Sequence, residues 1–221
     1  MNSPNTSFPT AFSSELIPLT EVDLSDQGRQ ALENLALKGL EVVSGIRTAD
    51  VDEIRALAET KAVREYCPKD VNRFNQRWIE KGRGVFLLRV TGSEEIRGYS
   101  WSGPEKCEEL PDHPNTTAFR TVAPGTGRDL TVATVEGSRA LHSEEGYGLE
   151  TWASNTRAVS IYSKVGARLV RARDTERNPD TGQTEPIMRP TLSPRQYDPV
   201  IAGEHYRYDT RLYMAFPTRL E

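Results

Sequence analysis

A segment rich in proline and glycine in the middle of the chain has the composition of an anion-binding loop. Its residues Pro124-Gly125-Thr126-Gly127 follow a β-branched, apolar stretch and precede a pattern typical of an amphipathic helix. The first backbone N–H groups of a helix have no partner inside it and carry the positive end of the helix dipole, so they bind phosphate or pyrophosphate. Glycine is also common at plain turns between a strand and a helix, and the loop alone leaves both interpretations open.

A second segment, residues 155–167, carries a recognisable pattern, Asn-Thr-Arg-Ala-Val-Ser-Ile-Tyr-Ser-Lys-Val-Gly-Ala. It resembles the signature Asn-x-x-Ala-x-x-aliphatic-Tyr-x-Lys-x-Gly-Phe of the GNAT superfamily of acyl-CoA-dependent N-acyltransferases. The residues agree at every position except Ala167, where the family usually has an aromatic residue. Residues 149–154 and 122–124 are similar to the strand ends that precede this helix and the phosphate loop in the family, and the order of elements is similar over residues 40–173.

The phosphate loop departs from the pattern of that family. The family has Arg/Gln-Gly-x-Gly-aliphatic-Gly/Ala, whereas the nearest register here is Thr126-Gly127-Arg128-Asp129-Leu130-Thr131, with one residue deleted after Pro124. An aspartate repels a pyrophosphate unless it points away or caps the helix, while Arg128 adds a compensating positive charge. Backbone N–H groups bind phosphate whatever the side chain, so the donor array is retained.

The resemblance implies a fold and a reaction. The fold is α/β with a mixed (α+β) sheet, a single GNAT-like domain whose splayed central sheet is flanked by helices. The reaction is the transfer of an acetyl group from acetyl-CoA to a primary amine by direct attack through a tetrahedral intermediate. The pantetheine arm would lie between the splayed strands, and a backbone N–H near Val122 would polarise the thioester carbonyl.

Tyr162 is the catalytic residue that the resemblance implies. A phenol titrates near ~10 and a thiol near ~8.5, so Tyr162 can protonate the departing CoA thiolate. An ordinary packing role for Tyr162 and a plain N-cap role for Asn155 are the alternatives, and the cap and ligand roles of Asn155 are compatible. The implied cofactor-binding residues are Val122, Thr126, Gly127, Arg128, Asp129, Leu130, Thr131, Asn155 and Tyr162.

The residue that takes the proton of the acceptor amine is not evident. No acidic residue lies in the predicted strand 116–122. Glu150 on the next strand and His113 in the adjoining loop are candidates, although a solvated surface position is the simpler interpretation of both. The loop 103–114 has an acidic excess that could attract a cationic amine, or it could simply be solvated.

An alternative function is a catalytically weak acyl-CoA-binding or partner-docking protein of the same fold. Asn155 and Tyr162 favour the enzyme, because a binding protein needs no proton donor. A nucleoside-triphosphate loop is disfavoured, since Arg128 and Asp129 replace the lysine and the magnesium-binding hydroxyl. A hydrolase fits poorly, because the segment 98–103 lacks the last glycine of a nucleophile elbow.

The elements that must position these residues mix helices and strands without strict alternation. Asp50 and Glu53 predict a capping box at the start of one helix. Apolar residues at helical spacing predict helices over 27–36, from 50, over 70–82, over 127–142 and over 156–165. Compact β-branched stretches predict strands over 40–46, 85–90, 96–101, 116–122, 149–153, 169–172 and 206–216.

The predicted domain organisation has three parts. Residues 1–25 are a flexible N-terminal arm, and residues 26–221 form one GNAT-like domain. Within it, residues 174–205 form a long loop insertion before the last strand. We expect this loop, with Arg195, Tyr197 and His205, to help form or cover the acceptor site.

The composition excludes several classes of partner. The 221 residues include 28 basic and 32 acidic side chains, a net charge of −4, so no positive field would collect nucleic acid. No apolar run reaches the ~20 residues of a membrane span and no signal peptide is evident, so we expect a soluble, cytoplasmic protein that does not bind a membrane. Cys67 and Cys107 form no CxxC pair and the histidines lack metal-binding spacing, which predicts reduced thiols and no metal. We expect a small-molecule or peptide amine as acceptor, and a homodimer is left open.

Overall fold

The structure is a computed structural model that describes residues 16–64, 84–104, 107–142, 146–177, 184–189 and 210–217. Its helices are α1 Asp26–Ala36, α2 Asp50–Glu59, α3 Lys61–Arg64, α4 Gly127–Leu141 and α5 Thr156–Lys164, with a 3-10 turn over Leu19–Glu21. Its strands are β1 Ile17–Pro18, β2 Leu40–Ser44, β3 Gly84–Val90, β4 Ile96–Pro104, β5 Asn115–Thr121, β6 Tyr147–Trp152, β7 Arg168–Arg177, β8 Thr184–Arg189 and β9 Arg211–Ala215.

The strands pair as a mixed sheet. Hydrogen-bonded neighbours follow the order β1-β2-β3-β4-β5-β6-β9-β7-β8. The pairings β1–β2, β2–β3, β3–β4, β6–β9, β9–β7 and β7–β8 are antiparallel, whereas β5–β6 is parallel. The parallel pairing joins Asn115 to Tyr147 and Thr116 to Gly148, and it goes no further within the described lengths of these two strands. The mixed α/β sheet predicted from the sequence is confirmed.

The described residues fall into two compact units. The first contains those between 16 and 104 and between 118 and 142, and the second contains those between 107 and 117 and from 146 onward. Strand β5 contributes residues to both. The start of the phosphate-loop helix α4 therefore belongs to the first unit, and α5 belongs to the second.

Alternate residues of β3 face two different cores in the first unit. Val85 and Leu87 pack in a cluster with α2, whereas Phe86 and Leu88 pack in a cluster with α1 and α4. Successive side chains of a strand point to opposite faces, so a strand covered by helices on both sides is an unbroken apolar run. This arrangement explains why the segment 85–90 lacks a polar–apolar alternation.

Two pairs of hydroxyl groups join β4 to α4. The Oγ of Ser100 and the Oγ1 of Thr134 are 2.5 Å apart, and the Oγ atoms of Ser102 and Ser138 are 2.6 Å apart. All four residues are buried. Residues 129–138 of α4 are in fact buried all round, so the single apolar stripe predicted for this helix is too narrow. Each buried hydroxyl has a partner, which removes the penalty of taking it out of water.

The predicted flexible arm is wrong for the part of it that the structure describes. Ile17 and Pro18 pair with Val43 and Ser44 of β2. Leu19 is completely buried and packs in the core shared by α1 and α4. The segment is therefore held by strand pairing and apolar burial, which outweigh its polar composition. Residues 1–15 lie outside the described part of the chain.

The predicted capping box at α2 is also wrong. The N-cap residue is Ala49, with no side-chain cap. The Asp50 carboxylate instead accepts hydrogen bonds from the Arg47 backbone at 2.7 Å and from the Arg47 guanidinium. Glu53 accepts from the backbone N–H of Ile96 at 2.7 Å. Tertiary contacts thus compete successfully with the local capping pattern.

The long loop predicted over residues 174–205 is wrong in two places. Strand β7 continues to Arg177, and residues 184–189 form β8, which pairs antiparallel with it. The remaining residues of that stretch, including Arg195, Tyr197 and His205, lie outside the described part of the chain, as do the helix predicted over 70–82 and Cys67. The helix predicted over 127–142 is confirmed as α4, which ends at Leu141, although Gly148, expected to stop it, lies in β6.

Of the helices in the described part of the chain, none has the length and apolar character needed to cross a membrane. Across the same residues, His, Cys, Asp and Glu side chains do not gather in groups of three or more that could hold a metal ion.

A glycine of β4 sets how closely β5 approaches it. A Cβ atom on Gly98 would lie 2.6 Å from the carbonyl oxygen of Arg120 and 3.0 Å from the Cβ of Thr121. Because a backbone oxygen cannot swing aside, we expect Gly98→Ala to lower the free energy of unfolding by about 2–3 kcal/mol, measured by denaturant titration. Gly92→Ala is the control: nothing lies within 4 Å of its Cβ, and only its φ of +72° opposes alanine. That variant should lose about 1 kcal/mol, and equal losses in the two variants would contradict the close approach.

Candidate functional site

The turn between β5 and α4 is closed by two threonine hydroxyl groups. Thr126 Oγ1 donates to the carbonyl of Ala123 at 2.8 Å and lies 2.9 Å from Thr121 Oγ1. Thr121 Oγ1 also accepts from the N–H of Ala123 at 3.1 Å. Gly125 has a φ of +71°, a conformation that glycine adopts at little cost. These contacts fix the backbone immediately before the first turn of α4.

The backbone N–H of Val122 already has a hydrogen-bond acceptor. It donates to the carbonyl of Arg97 on β4 at 3.0 Å. That N–H therefore cannot also polarise a thioester, and the expected donor near Val122 must be a different group. Because successive N–H groups of a strand point to opposite edges, the N–H of Thr121 points away from β4.

The first turn of α4 presents backbone donors and one exposed cation. Thr126 is the N-cap residue and makes no side-chain cap, and Leu130 is the first residue whose N–H bonds back, to the Thr126 carbonyl at 2.9 Å. The N–H groups of Gly127, Arg128 and Asp129 precede that bond, in the turn where helices lack internal acceptors. The Arg128 side chain is exposed. Both Leu130 and Thr131 are fully buried. The Thr131 hydroxyl donates to the carbonyl of Gly127 at 2.8 Å.

Asp129 points away from the exposed side of this turn. It is only 6% exposed, and its Oδ1 accepts from the Asn34 amide of α1 at 3.2 Å. Its Oδ2 lies 3.4 Å from the ammonium group of Lys38, which also donates to the carbonyl of Gly125 at 2.8 Å. Arg128, expected to supply the compensating charge, is more distant at 4.0 Å. The aspartate that departs from the family pattern is thus neutralised by a lysine just beyond the end of α1.

Lys38 is the functional candidate that the sequence did not reveal. It lies 91 positions before Asp129, and no motif connects them. Its ammonium group joins α1 to both the glycine turn and the first turn of α4. Only the packing of α1 against α4 brings it there.

Helix α5 begins and ends as its sequence predicts. Asn155 is the N-cap, and its Oδ1 accepts from the N–H of Ala158 at 3.3 Å. Gly166 follows the helix with a φ of +90°. Tyr162 is 8% exposed and Ala167 is also buried. The N-cap role of Asn155 is confirmed, whereas its ligand role and the catalytic role of Tyr162 stay predictions.

Variants at Asn155 separate the cap from a ligand role. Asn155→Ala removes the cap and should lower the free energy of unfolding by about 1 kcal/mol in a denaturant titration. Asn155→Ser keeps a capping oxygen and should lose much less. If Asn155 acts only as a helix cap, acetyl-CoA affinity should fall only in the variant that is destabilised, Asn155→Ala. A loss of affinity in Asn155→Ser with stability intact would assign the amide a direct contact.

The two candidate bases differ in their surroundings. The Glu150 side chain is 49% exposed and its carboxylate lies 3.4 Å from Arg211, whose guanidinium carbon is 3.4 Å from the Trp152 ring centroid. His113 is half-buried, its Nδ1 has no hydrogen-bond partner among the described residues, and its ring lies close to Gly146. The expectation of a solvated surface position is met for Glu150 only in part and is wrong for His113.

The acidic loop is not uniformly solvated either. Glu108 and Asp112 are exposed, but the Glu109 side chain is largely buried and forms an ion pair with Arg173. Cys107 is a free thiol, and burial raises its pKa to about 11, so it is protonated near neutral pH. Glu105 and Lys106 lie outside the described residues.

The predicted site residues thus form two groups. Val122 and residues 126–131 come together at the β5–α4 junction, and Asn155 and Tyr162 lie on α5. The first group could hold a diphosphate through backbone N–H groups and Arg128. The second offers a buried phenol.

No family model matches the chain, and no curated protein matches it. Solved structures do resemble it. A GNAT superfamily phosphinothricin acetyltransferase from Sinorhizobium meliloti, in complex with acetyl-CoA, has a TM-score of 0.53 at 10% identity and covers 81% of this chain and 88% of its own. An acetyltransferase of the GNAT family from Streptococcus pneumoniae has a TM-score of 0.52 at 13% identity, covering 82% and 99%. An uncharacterized protein from Bacillus halodurans has a TM-score of 0.52 at 11% identity, covering 94% and 93%. At these identities the likeness shows the fold: this chain has the fold of the GNAT-family acetyltransferases, as its sequence motif predicts.

Proposed function

We propose that this chain is an acyl-CoA-dependent N-acyltransferase that transfers an acetyl group from acetyl-CoA to a primary amine. The observation that carries the proposal is the first turn of α4. It presents backbone N–H groups and Arg128, while its acidic residue, Asp129, is held toward α1 by Asn34 and Lys38. The fold and the motif of α5 support the same conclusion.

In this proposal the diphosphate of acetyl-CoA binds the first turn of α4. The N–H groups of Gly127, Arg128 and Asp129 act as donors, and the helix dipole adds to their attraction for an anion. Leu130 and Thr131 hold the turn in place through packing and the bond from Thr131 to Gly127. Lys38 removes the repulsion that a bare Asp129 carboxylate would exert.

The acetyl transfer needs one donor at the carbonyl oxygen and one at the sulfur. We assign the first to the N–H of Thr121, since the N–H of Val122 bonds to Arg97. The amine attacks the thioester carbon, the C–S bond of the tetrahedral intermediate breaks, and Tyr162 gives its proton to the CoA thiolate. The proton of the attacking amine leaves to Glu150 or to water.

The altered loop favours a second candidate, an acyl-CoA-binding protein with little turnover. Thr126, Asp129 and Thr131 replace residues of the family pattern, and each is buried. Such a protein would bind acetyl-CoA without needing Tyr162.

Thiol release distinguishes the two candidates. The full chain is incubated with acetyl-CoA and a panel of primary amines, and free CoA is followed with a thiol-reactive dye, with acetyl-CoA binding measured separately by calorimetry. The enzyme requires at least one amine to raise the rate above the amine-free control. Binding without any such rise supports the second candidate, and absence of acetyl-CoA binding rejects both.

A further inference from the structure

Strand β7 carries three arginine side chains on one face of the sheet. Each lies directly opposite a residue of β9, in the pairs Arg168–Ala215, Arg171–Tyr213 and Arg173–Arg211. The three β9 residues alternate along their strand, so their side chains and those of the arginines opposite them point to the same face. The guanidinium carbon of Arg173 lies 5.5 Å from the centroid of the Tyr213 ring on that face. We call Arg168, Arg171 and Arg173 the arginine row.

A register shift makes the spacing of the arginine row regular. Arg171 and Arg173 are two residues apart, whereas Arg168 and Arg171 are three apart, with a shift in register between Leu169 and Arg171. The shift absorbs one residue, so neighbouring members of the row stand opposite β9 residues that are two apart. Two residues of a strand span about 6.6 Å. The three positions therefore repeat at one interval along the face.

Arg173 already holds a carboxylate from an acidic segment of this chain. The side chain of Glu109, in the loop before β5, is largely buried and forms an ion pair with Arg173. The same loop packs on this face of the sheet, because a Cβ atom on Gly148, which lies opposite Ala215, would be 2.5 Å from the Cδ1 of Leu110. The last member of the row thus shows how an acidic segment can lie on this face.

Arg168 and Arg171 have no such partner. Both are exposed, and among the described residues neither side chain has an ion-pair or hydrogen-bond partner. The two other arginines of this face are both paired, Arg173 with Glu109 and Arg211 with Glu150. A guanidinium presents a planar fork of donors that matches the two oxygens of a carboxylate. Two adjacent forks are therefore open to solvent beside one that is occupied.

We propose that Arg168 and Arg171 bind an acidic segment of a partner protein in an extended conformation, with one carboxylate on each guanidinium. Alternate side chains of an extended chain lie on one side, about 6.6 Å apart, which is the interval of the arginine row. Acidic residues at positions i and i+2 therefore fit both arginines. The chain has a net charge of −4 and lacks the broad positive field that collects nucleic acid, so a protein segment is favoured over a phosphate polymer. This binding does not rest on the proposed function.

The test titrates the full chain, without acetyl-CoA, with the peptide acetyl-Ser-Glu-Ser-Glu-Ser-amide at low ionic strength. The peptide has no amine and cannot be an acyl acceptor, and shifts of the backbone amide signals of β7 give its Kd by NMR. The double variant Arg168→Gln with Arg171→Gln should bind roughly tenfold more weakly, the value of two exposed ion pairs, and each single variant about threefold. Arg157→Gln is the matched control, because Arg157 is equally exposed and unpaired among the described residues but lies on α5. It should bind as the unmodified chain does.

A second peptide, acetyl-Ser-Glu-Glu-Ser-Ser-amide, tests the spacing at the same composition and charge. Its adjacent acids point to opposite sides of an extended chain, so it should bind about threefold more weakly. A five-residue oligothymidylate should bind more weakly than the alternating peptide. The proposal is overturned by absence of peptide binding, by equal affinity for the two peptides, by equal effects of Arg157→Gln and the double variant, or by tighter oligothymidylate binding that depends on Arg168 and Arg171. Failure of acetyl transfer, measured separately, would reject only the proposed function.

Discussion

Replacing Tyr162 with phenylalanine should lower kcat for acetyl transfer by roughly 10²- to 10³-fold, the usual contribution of a general acid. The variant loses only a hydroxyl, while the ring keeps its buried position on α5. Without the proton donor, the CoA sulfur must leave as a free thiolate. KM for acetyl-CoA should stay within about twofold, because the interaction is made only in the transition state. The measurement is thiol release at saturating amine.

The matched control for Tyr162→Phe is Tyr147→Phe, which removes a hydroxyl from another buried tyrosine. Thermal unfolding of both variants verifies that the fold survives. Unchanged kcat in Tyr162→Phe would assign this residue the ordinary packing role and shift the proposed function toward acyl-CoA binding. A loss of equal size in both variants would indicate a general loss of structure.

Replacing Lys38 with methionine should weaken acetyl-CoA binding roughly tenfold or more. The ammonium group bonds to the carbonyl of Gly125 and offsets the charge of Asp129. Methionine keeps most of the length of the side chain but leaves that carboxylate uncompensated beside the first turn of α4. Calorimetric titration with acetyl-CoA measures the effect, which should shrink as salt rises because screening weakens the repulsion.

The second-site variant Lys38→Met with Asp129→Asn tests the cause of that loss. With no carboxylate to neutralise, most of the affinity should return. Lys61→Met is the control, since Lys61 is an exposed lysine on α3. If the double variant binds as poorly as Lys38→Met, charge compensation is not the role of Lys38. If Lys38→Met binds normally, the first turn of α4 is not the diphosphate site.

The elements nearest the candidate site were predictable because their signals are local. Asn155 and Gly166 bracket α5 with a cap and a positive φ, and the glycine turn before α4 is marked by its own residues. Strand β8 was missed because its sequence, Thr-Glu-Pro-Ile-Met-Arg, is polar, contains a proline and lies at the end of the strand order, where pairing on one side suffices. Strand β1 is two residues long, too short to display any period.

The candidate residues divide in the same way. Thr126, Arg128 and Tyr162 were identified because they lie inside short motifs. Lys38 was not, because its importance depends on contacts made by distant parts of the chain. No local pattern distinguishes Lys38 from any other lysine at the end of a helix.

The two hydroxyl pairs between β4 and α4 fix the position of the helix along the strand. Ser100 and Ser102 are separated by about 6.6 Å along a strand, and Thr134 and Ser138 by about 6 Å along a helix axis. Because these intervals nearly coincide, both pairs form together in a single register. Sliding α4 by one residue would rotate its side chains by about 100° and break both. The position of the first turn of α4 is therefore set by buried contacts with β4 further along the helix. Neither solvent nor an anion bound at the start of the helix can reach those contacts.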